Sequence, residues 1–406
     1  MSLPTAIARP AEKVATSPAD NLRPVAMWLL LCCAMIFAMV VLGGITRLTL
    51  SGLAITEWQP VTGILPPMSP TAWAAEFDKY RQIPQYRLVN YGMSLDAFKT
   101  IYLWEYVHRL WGRLIGLAYA LPFIYFALRR RLPRNLLAPL AGILLLGAAQ
   151  GALGWYMVTS GLAERVEVSQ YRLVAHLALA LAIYAATLWA ALSLLVPARR
   201  EIPSPPFRGE RAGPSAQRWE GEVGAGERSD IRPLTPTLST GGGEGASNRW
   251  RRAAEAIIAL VALTIAAGGF VAGLNAGLTY NTFPLMDGSL VPRGYAQLQP
   301  FPRNWFENVA AVQFDHRLLA TTTAAAIMLL WLAGWRSALP RRARIALHAL
   351  LAAAAIQFAL GVATLLLVVP IPLAAAHQAG AVIVLTAAVV LRHRLRSGDA
   401  PKLVIA

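Results

Sequence analysis

Four of the chain's six histidines recur at matched places in its two halves. His108 stands in Glu105-Tyr106-Val107-His108-Arg109-Leu110, and His316 in Gln313-Phe314-Asp315-His316-Arg317-Leu318. His176 follows Ala175 as His377 follows Ala376. Neutral imidazole is a standard axial ligand of haem iron, and two imidazoles on facing helices can hold the iron from both sides. Arg109 and Arg317 follow two of the histidines, and Arg172 lies one turn before His176. A guanidinium matches a carboxylate such as a haem propionate bidentately. The spacing therefore predicts two haem sites, with His108 and His176 as iron ligands in one and His316 and His377 in the other. Arg109, Arg172 and Arg317 are the expected propionate partners. A lone histidine at a helix end is ordinarily interfacial, and His348 and His393, which have no matched partner, are expected to be so.

The elements that must position these histidines are apolar helices. Of 406 residues, 56% are hydrophobic and 14% charged, with a mean hydropathy of +0.48. A soluble globular chain carries about 25% charged residues, so a soluble enzyme is excluded. Intrinsic disorder needs the opposite composition. A helix crosses the hydrocarbon core with about 20 apolar residues. That length predicts eight spans, near 24–45, 101–128, 136–159, 171–196, 253–274, 309–335, 343–369 and 373–391. Ionisable residues within spans are costly and point to function, which favours ligation over an interfacial role for the duplicated histidines.

The net charge of +16 could suggest a nucleic-acid partner, but its distribution does not. With the N-terminus inside, the cytoplasmic segments apart from 201–249 hold 19 basic and 4 acidic residues. The outer side holds 12 and 10, and 201–249 holds 6 and 7. This is the positive-inside pattern of a membrane protein. Both termini are expected in the cytoplasm, and all four matched histidines near the outer ends of their helices. The N-terminal tail, 1–23, carries acidic residues before a first span long enough to cross, so an uncleaved first helix is expected.

Residues 201–249 are rich in Pro, Gly, Ser and Arg without apolar periodicity, the composition of a disordered linker. No Lys-Ser/Thr follows the glycines, which argues against a phosphate-binding loop. The linker separates bundles expected at 24–200 and 250–396, with a tail at 397–406. Gln150 with Gly154 matches Gln357 with Gly361, and Gly43-Gly44 matches Gly268-Gly269. Four spans per half make the halves parallel repeats, so the expected fold is all-α, two pseudosymmetric four-helix bundles in a membrane. Gly112, Gly116, Gly147, Gly151, Gly154 and Gly361 either leave room for a flat macrocycle or permit close helix packing. Cys32 and Cys33 read as small apolar residues of the first span.

Glu57 lies beside Trp58 in an outer loop of about 55 residues, a length commonly functional. Most loop glutamates are simply solvated. A carboxylate at a haem edge could instead relay protons or stabilise developing positive charge.

The chain resembles the heme A synthase family of proteobacterial and mitochondrial type. The resemblance rests on Gly43-Gly44-Ile45-Thr46-Arg47-Leu48-Thr49, Ser51-Gly52-Leu53, Glu57-Trp58 and Glu105 through Arg113. In the second half it rests on Gly273 through Gly277, Tyr280 through Gly288, and Gln313 with His316-Arg317. Two features depart from the family: Leu50 stands where an acidic residue is common, and 201–249 is an insertion. The outer loop also lacks the cysteine pair of the Gram-positive branch. The resemblance implies oxidation of the C8 methyl of haem O to a formyl group, through successive hydroxylations, making haem A for cytochrome oxidase. It implies that His108 and His176 flank the substrate, that His316 and His377 hold a permanent haem b, and that Glu57 is catalytic. It also implies a bacterial inner membrane with the haem sites toward the periplasm, and haem O synthase as supplier of substrate; self-association stays open. The rival from residues alone is a quinone-linked electron-transfer cytochrome, which would carry ligands at both membrane depths. A repeat-built transporter would need interrupted helices.

Overall fold

In lipid a backbone has no water to pair with, so apolar runs of this length must close their hydrogen bonds internally as helices. The computed structural model describes residues 22–59, 63–163, 165–195 and 241–396, with side chains of the last segment from 248 onward. It contains eight helices long and apolar enough to cross a membrane. They are α1 (Arg23–Leu48), α4 (Leu95–Leu128), α5 (Arg134–Leu162), α6 (Gln170–Leu195), α7 (Gly241–Gly273), α9 (Val309–Trp335), α10 (Arg341–Leu366) and α11 (Ile371–Arg394). Short helices α2 (Pro70–Tyr80) and α3 (Pro84–Leu88) lie in the first outer loop, and α8 (Asn304–Glu307) in the second. The described residues form no strand, only an isolated bridge between Met286 and Ser289. The protein is an all-α, multi-pass membrane protein.

Two helices begin earlier than hydropathy suggests. α4 starts at Leu95 rather than near Ile101, because the Ser94 hydroxyl accepts from Ala97 N and caps the first turn. That turn carries Asp96, Lys99 and Thr100 and lies beyond any apolar window. α7 starts at Gly241, inside the segment expected to be linker. The rest of that linker, 201–240, falls outside the described residues, as do the two terminal tails.

α1 packs on α4 and α6, and α5 on both α4 and α6; in the second half α7 packs on α9 and α11, and α10 on both α9 and α11. The halves meet where α6 packs on α7 and α11, and α1 on α11. The most apolar window of α1 and of α6 is 44% buried, against 11% for α4, which puts α1 and α6 at the centre. Polar stitches follow the seam: Tyr184 Oη with Thr386 Oγ1 at 2.8 Å, Arg396 to Ser193 Oγ at 2.9 Å, and Arg47 to Asn275 Oδ1 at 2.7 Å. Outward, Leu117, Leu121, Leu145, Leu263, Leu329 and Ile356 are exposed, as lipid-facing residues must be.

The outer loop of the first half has a core of its own, built on Phe77, Tyr80, Tyr86, Phe98 and Tyr102 around Leu53 and Val158. α1 feeds into it through a Schellman turn: Leu50 N donates to Arg47 O and Ser51 N to Thr46 O. Leu50 takes the left-handed conformation this requires, at φ 54°, and Asn275, at the end of α7, has φ 53°. Asn tolerates that region and Leu does not.

Candidate functional site

Each of the four matched histidines stands against a glycine of a neighbouring helix. A Cβ at Gly43 on α1 would meet His108 Cε1 at 3.0 Å, and one at Gly154 on α5 would meet His176 Cε1 at 2.9 Å. In the second half a Cβ at Gly268 on α7 would meet His316 Cε1 at 3.0 Å, and one at Gly361 on α10 would meet His377 Cε1 at 2.8 Å. Only the absence of a side chain lets each ring lie so close to the backbone. In each half the two histidines stand on helices that both pack on the same neighbours: α4 and α6 on α1 and α5, α9 and α11 on α7 and α10. The two histidines of each pair are thus brought together, and all four are half-buried. His176, His316 and His377 lie about two turns from their helix starts; His108 lies more than three turns in, because α4 begins early.

The second histidine of each pair has a glutamine. Gln150 Nε2 donates to His176 O at 3.0 Å and lies 3.2 Å from His176 Nε2. Gln357 Nε2 donates to His377 O at 2.9 Å and lies 3.1 Å from His377 Nδ1. His316 Nδ1 sits 3.2 Å from Thr264 O, a contact that fixes the ring and leaves its other nitrogen for a ligand. His108 Nδ1, His176 Nδ1 and both glutamine Oε1 atoms are buried without a partner among the described residues. Buried polar atoms are ordinarily paired, so such a cluster fits a polar, metal-centred ligand. A Cβ at Gly116, Gly147 or Gly151 would enter open space, whereas one at Gly112 would meet Met39 Cε at 3.3 Å. Gly116, Gly147 and Gly151 are all exposed and lie in the first half.

The arginines after the histidines reach the outer loops. Arg109 donates to Ile55 O at 2.8 Å and to Glu57 O at 3.0 Å; Arg317 donates to the carbonyls of Tyr280 and Thr282. Both arginines grip carbonyls two residues apart, so Thr282 is the structural counterpart of Glu57. Its hydroxyl closes its own turn, donating to Leu285 O and accepting from Asp287 N. Arg109 also pairs with the buried Glu105 carboxylate, which accepts from Ile55 N. Gln313, at the place of Glu105, donates to Thr279 O. One helical turn past Arg109, Arg113 donates to Gln59 O, extending the grip on the loop.

That grip presents the Glu57 side chain. Its Oε1 lies 3.1 Å from Lys79 Nζ and its Oε2 accepts from Gln59 at 2.8 Å. Lys79 also pairs with Glu76 at 2.8 Å. The Lys79 hydrogen bond holds the Glu57 carboxyl below the usual carboxylate range. Trp58 stacks on Trp155 of α5 at 5.9 Å, and the Arg109 guanidinium lies over the same ring. Arg172 turns toward α5, donating to Tyr156 O at 2.6 Å and lying 3.7 Å over the Tyr156 ring. It lines an open cavity of about 470 Å³ with Arg165. Of the unmatched histidines, His348 is exposed and accepts from Trp331 Nε1 at 2.9 Å. His393 is buried in the α6–α11 seam, 3.3 Å from Ser193 Oγ.

Sequence reasoning reached the histidines but missed Lys79, Glu105 and the seating roles of Gly43 and Gly268. The duplicated diglycine was the one signal available for the last two.

Similarity to known proteins agrees with this geometry. The chain matches the COX15-CtaA family, described as Cytochrome oxidase assembly protein, over residues 26–219 and 237–389. The break in the match falls within the polar stretch after α6. A protein named Heme A synthase from Nitrosospira multiformis is 49% identical over 374 residues, covering 92% of this chain and 94% of that protein. One of the same name from Nitrosomonas eutropha is 46% identical over 369 residues, covering 91% and 93%. A third, from Rhodospirillum centenum, is 47% identical over 380 residues, covering 94% and 90%. The chain therefore belongs to the COX15-CtaA family of cytochrome oxidase assembly proteins.

Proposed function

We propose that the chain is a heme A synthase, an oxidoreductase that converts the C8 methyl of haem O to a formyl group to make haem A for cytochrome oxidase. The observation that carries this reading is an asymmetry within a repeat. Both halves present a histidine pair, but the first sets a carboxylate, Glu57, at the position whose carbonyl the arginine grips, where the second sets Thr282 and carries its carboxylate five residues on, at Asp287.

His108 and His176 hold the haem O substrate, and His316 and His377 hold a resident haem b. When bound, the haem b supplies one-electron redox chemistry. Converting methyl to formyl adds one oxygen and, counted from water, releases four electrons and four protons. Glu57, whose anion Lys79 stabilises, acts as a carboxylate. It accepts a proton at Oε1 or Oε2, or stabilises positive charge developing at the methyl carbon. Lys79, itself paired with Glu76, holds the carboxylate in place. Arg109 is committed to the loop and to Glu105. Arg317 keeps a buried Nε without a partner among the described residues, and Arg172 donates through Nη1 alone, so these two have N–H groups left for propionates.

The halves act as pseudosymmetric bundles in a bacterial inner membrane, termini in the cytoplasm and haem sites toward the periplasm. Haem O synthase is the expected supplier. The test is extraction and chromatography of pigment from cells expressing the chain with a haem O source. Haem A should appear only when both are present. A protein that holds haem b and yields no haem A would instead be an electron-transfer cytochrome.

A further inference from the structure

The diglycines closing α1 and α7 do more than seat the histidines of their own halves. Gly43 faces His108, but a Cβ on the next residue, Gly44, would overlap the amide of Gln378, the residue after His377 on α11. That amide donates to Val40 O of α1 at 2.7 Å. The second diglycine does the same in the other direction. Gly268 faces His316, and a Cβ on Gly269 would meet Val174 at 2.9 Å and Leu177 at 3.6 Å. Leu177 is the residue after His176 on α6. Each diglycine therefore lies between a histidine of its own half and the helix carrying the second histidine of the opposite half.

We propose that the diglycines are cross-braces, with Gly44 and Gln378 positioning His377, and Gly269 with Val174 and Leu177 positioning His176. Interiors are close-packed, and contacts of this kind leave no slack for one helix to move alone. A shift of α11 is passed to the α1 backbone at Gly44, one residue from the glycine that seats His108. The two braces differ in chemistry. Gln378 is tied to the Val40 carbonyl by a hydrogen bond, whereas Val174 and Leu177 meet Gly269 through apolar packing alone. The brace on His377, the ligand of the permanent haem in the function proposed above, is thus polar and that on His176 apolar.

The experiment uses the full-length purified protein and reads resident haem by content and by low-spin paramagnetic resonance, without added haem O. Gly44→Ala, a change in the first half, should lower the content of the second half's haem and shift its signal. Gly142→Ala, whose Cβ enters open space, should do neither. Gln378→Ala, which removes the tie to the Val40 carbonyl, should lower and shift the same haem. Gly269→Ala should leave the resident haem in place and weaken retention of haem O supplied afterwards. The brace is overturned if Gly44→Ala behaves as Gly142→Ala, or if Gln378→Ala leaves the second half's haem unchanged. It is also overturned if Gly44→Ala and Gly269→Ala disturb both haems alike. Should the wild type hold no haem, the proposed function fails and the brace is read by thermal stability. In that case Gly44→Ala and Gln378→Ala must each destabilise while Gly142→Ala does not, and the absence of either loss overturns the brace.

Discussion

In the proposed function Glu57 and the four histidines have separate roles, which single substitutions distinguish. His316→Ala or His377→Ala should lower the haem b content of the purified protein, measured from the extracted pigment. His348→Ala should not, since His348 is exposed and bonded only to Trp331. Equal losses from all three would mean misfolding. Lys79 sets the charge of Glu57, and the sign of its removal follows. The native carboxyl is held low, so activity that needs the carboxylate survives until the pH falls through that lowered value. Lys79→Met removes the stabilising cation and raises the carboxyl, so the acid limb of the pH–rate profile should move to higher pH; an unmoved limb would separate Lys79 from Glu57. Leu50 is a different case. It bears a left-handed backbone that Asn275 bears with ease at the end of α7, so Leu50→Asn should stabilise the protein by about 1 kcal/mol, read as a rise in melting temperature.

At the scale of elements, the eight spans were legible because a hydrocarbon layer demands length and apolarity, which are written locally. The start of α4 was not, because its first turn is polar and is fixed by Ser94 rather than by hydropathy. The histidine pairs were legible through duplication, a signal that survives without contacts. The loop contacts of Arg109 and Arg317 were not: both hold carbonyls that only the folded outer loop brings to them. His393 likewise is buried because α6 and α11 pack together there, which no local pattern announces. The polar stretch after α6 has no apolar face to bury. Deleting Pro203 to Thr240, stopping short of the helix that opens at Gly241, should leave membrane insertion and haem content unchanged in the purified protein. Loss of haem would give that stretch a structural role.

At the scale of the whole molecule, the two halves carry matched histidines against glycines and differ in the loop above them. Both halves grip that loop with an arginine. In the first, the loop carries Glu57 paired with Lys79, above a buried Glu105; in the second it carries Thr282 bonded to Asp287, above Gln313. Placing the chemistry in the first half makes Glu57→Gln the most direct measurement, because it keeps the side chain's shape and removes its charge. With haem O available, the variant's extracted pigment should retain haem b at the wild-type level. Its haem A should fall about 10²-fold or more, the scale of one general acid–base group, with haem O accumulating. A wild-type yield of haem A from Glu57→Gln would contradict the account.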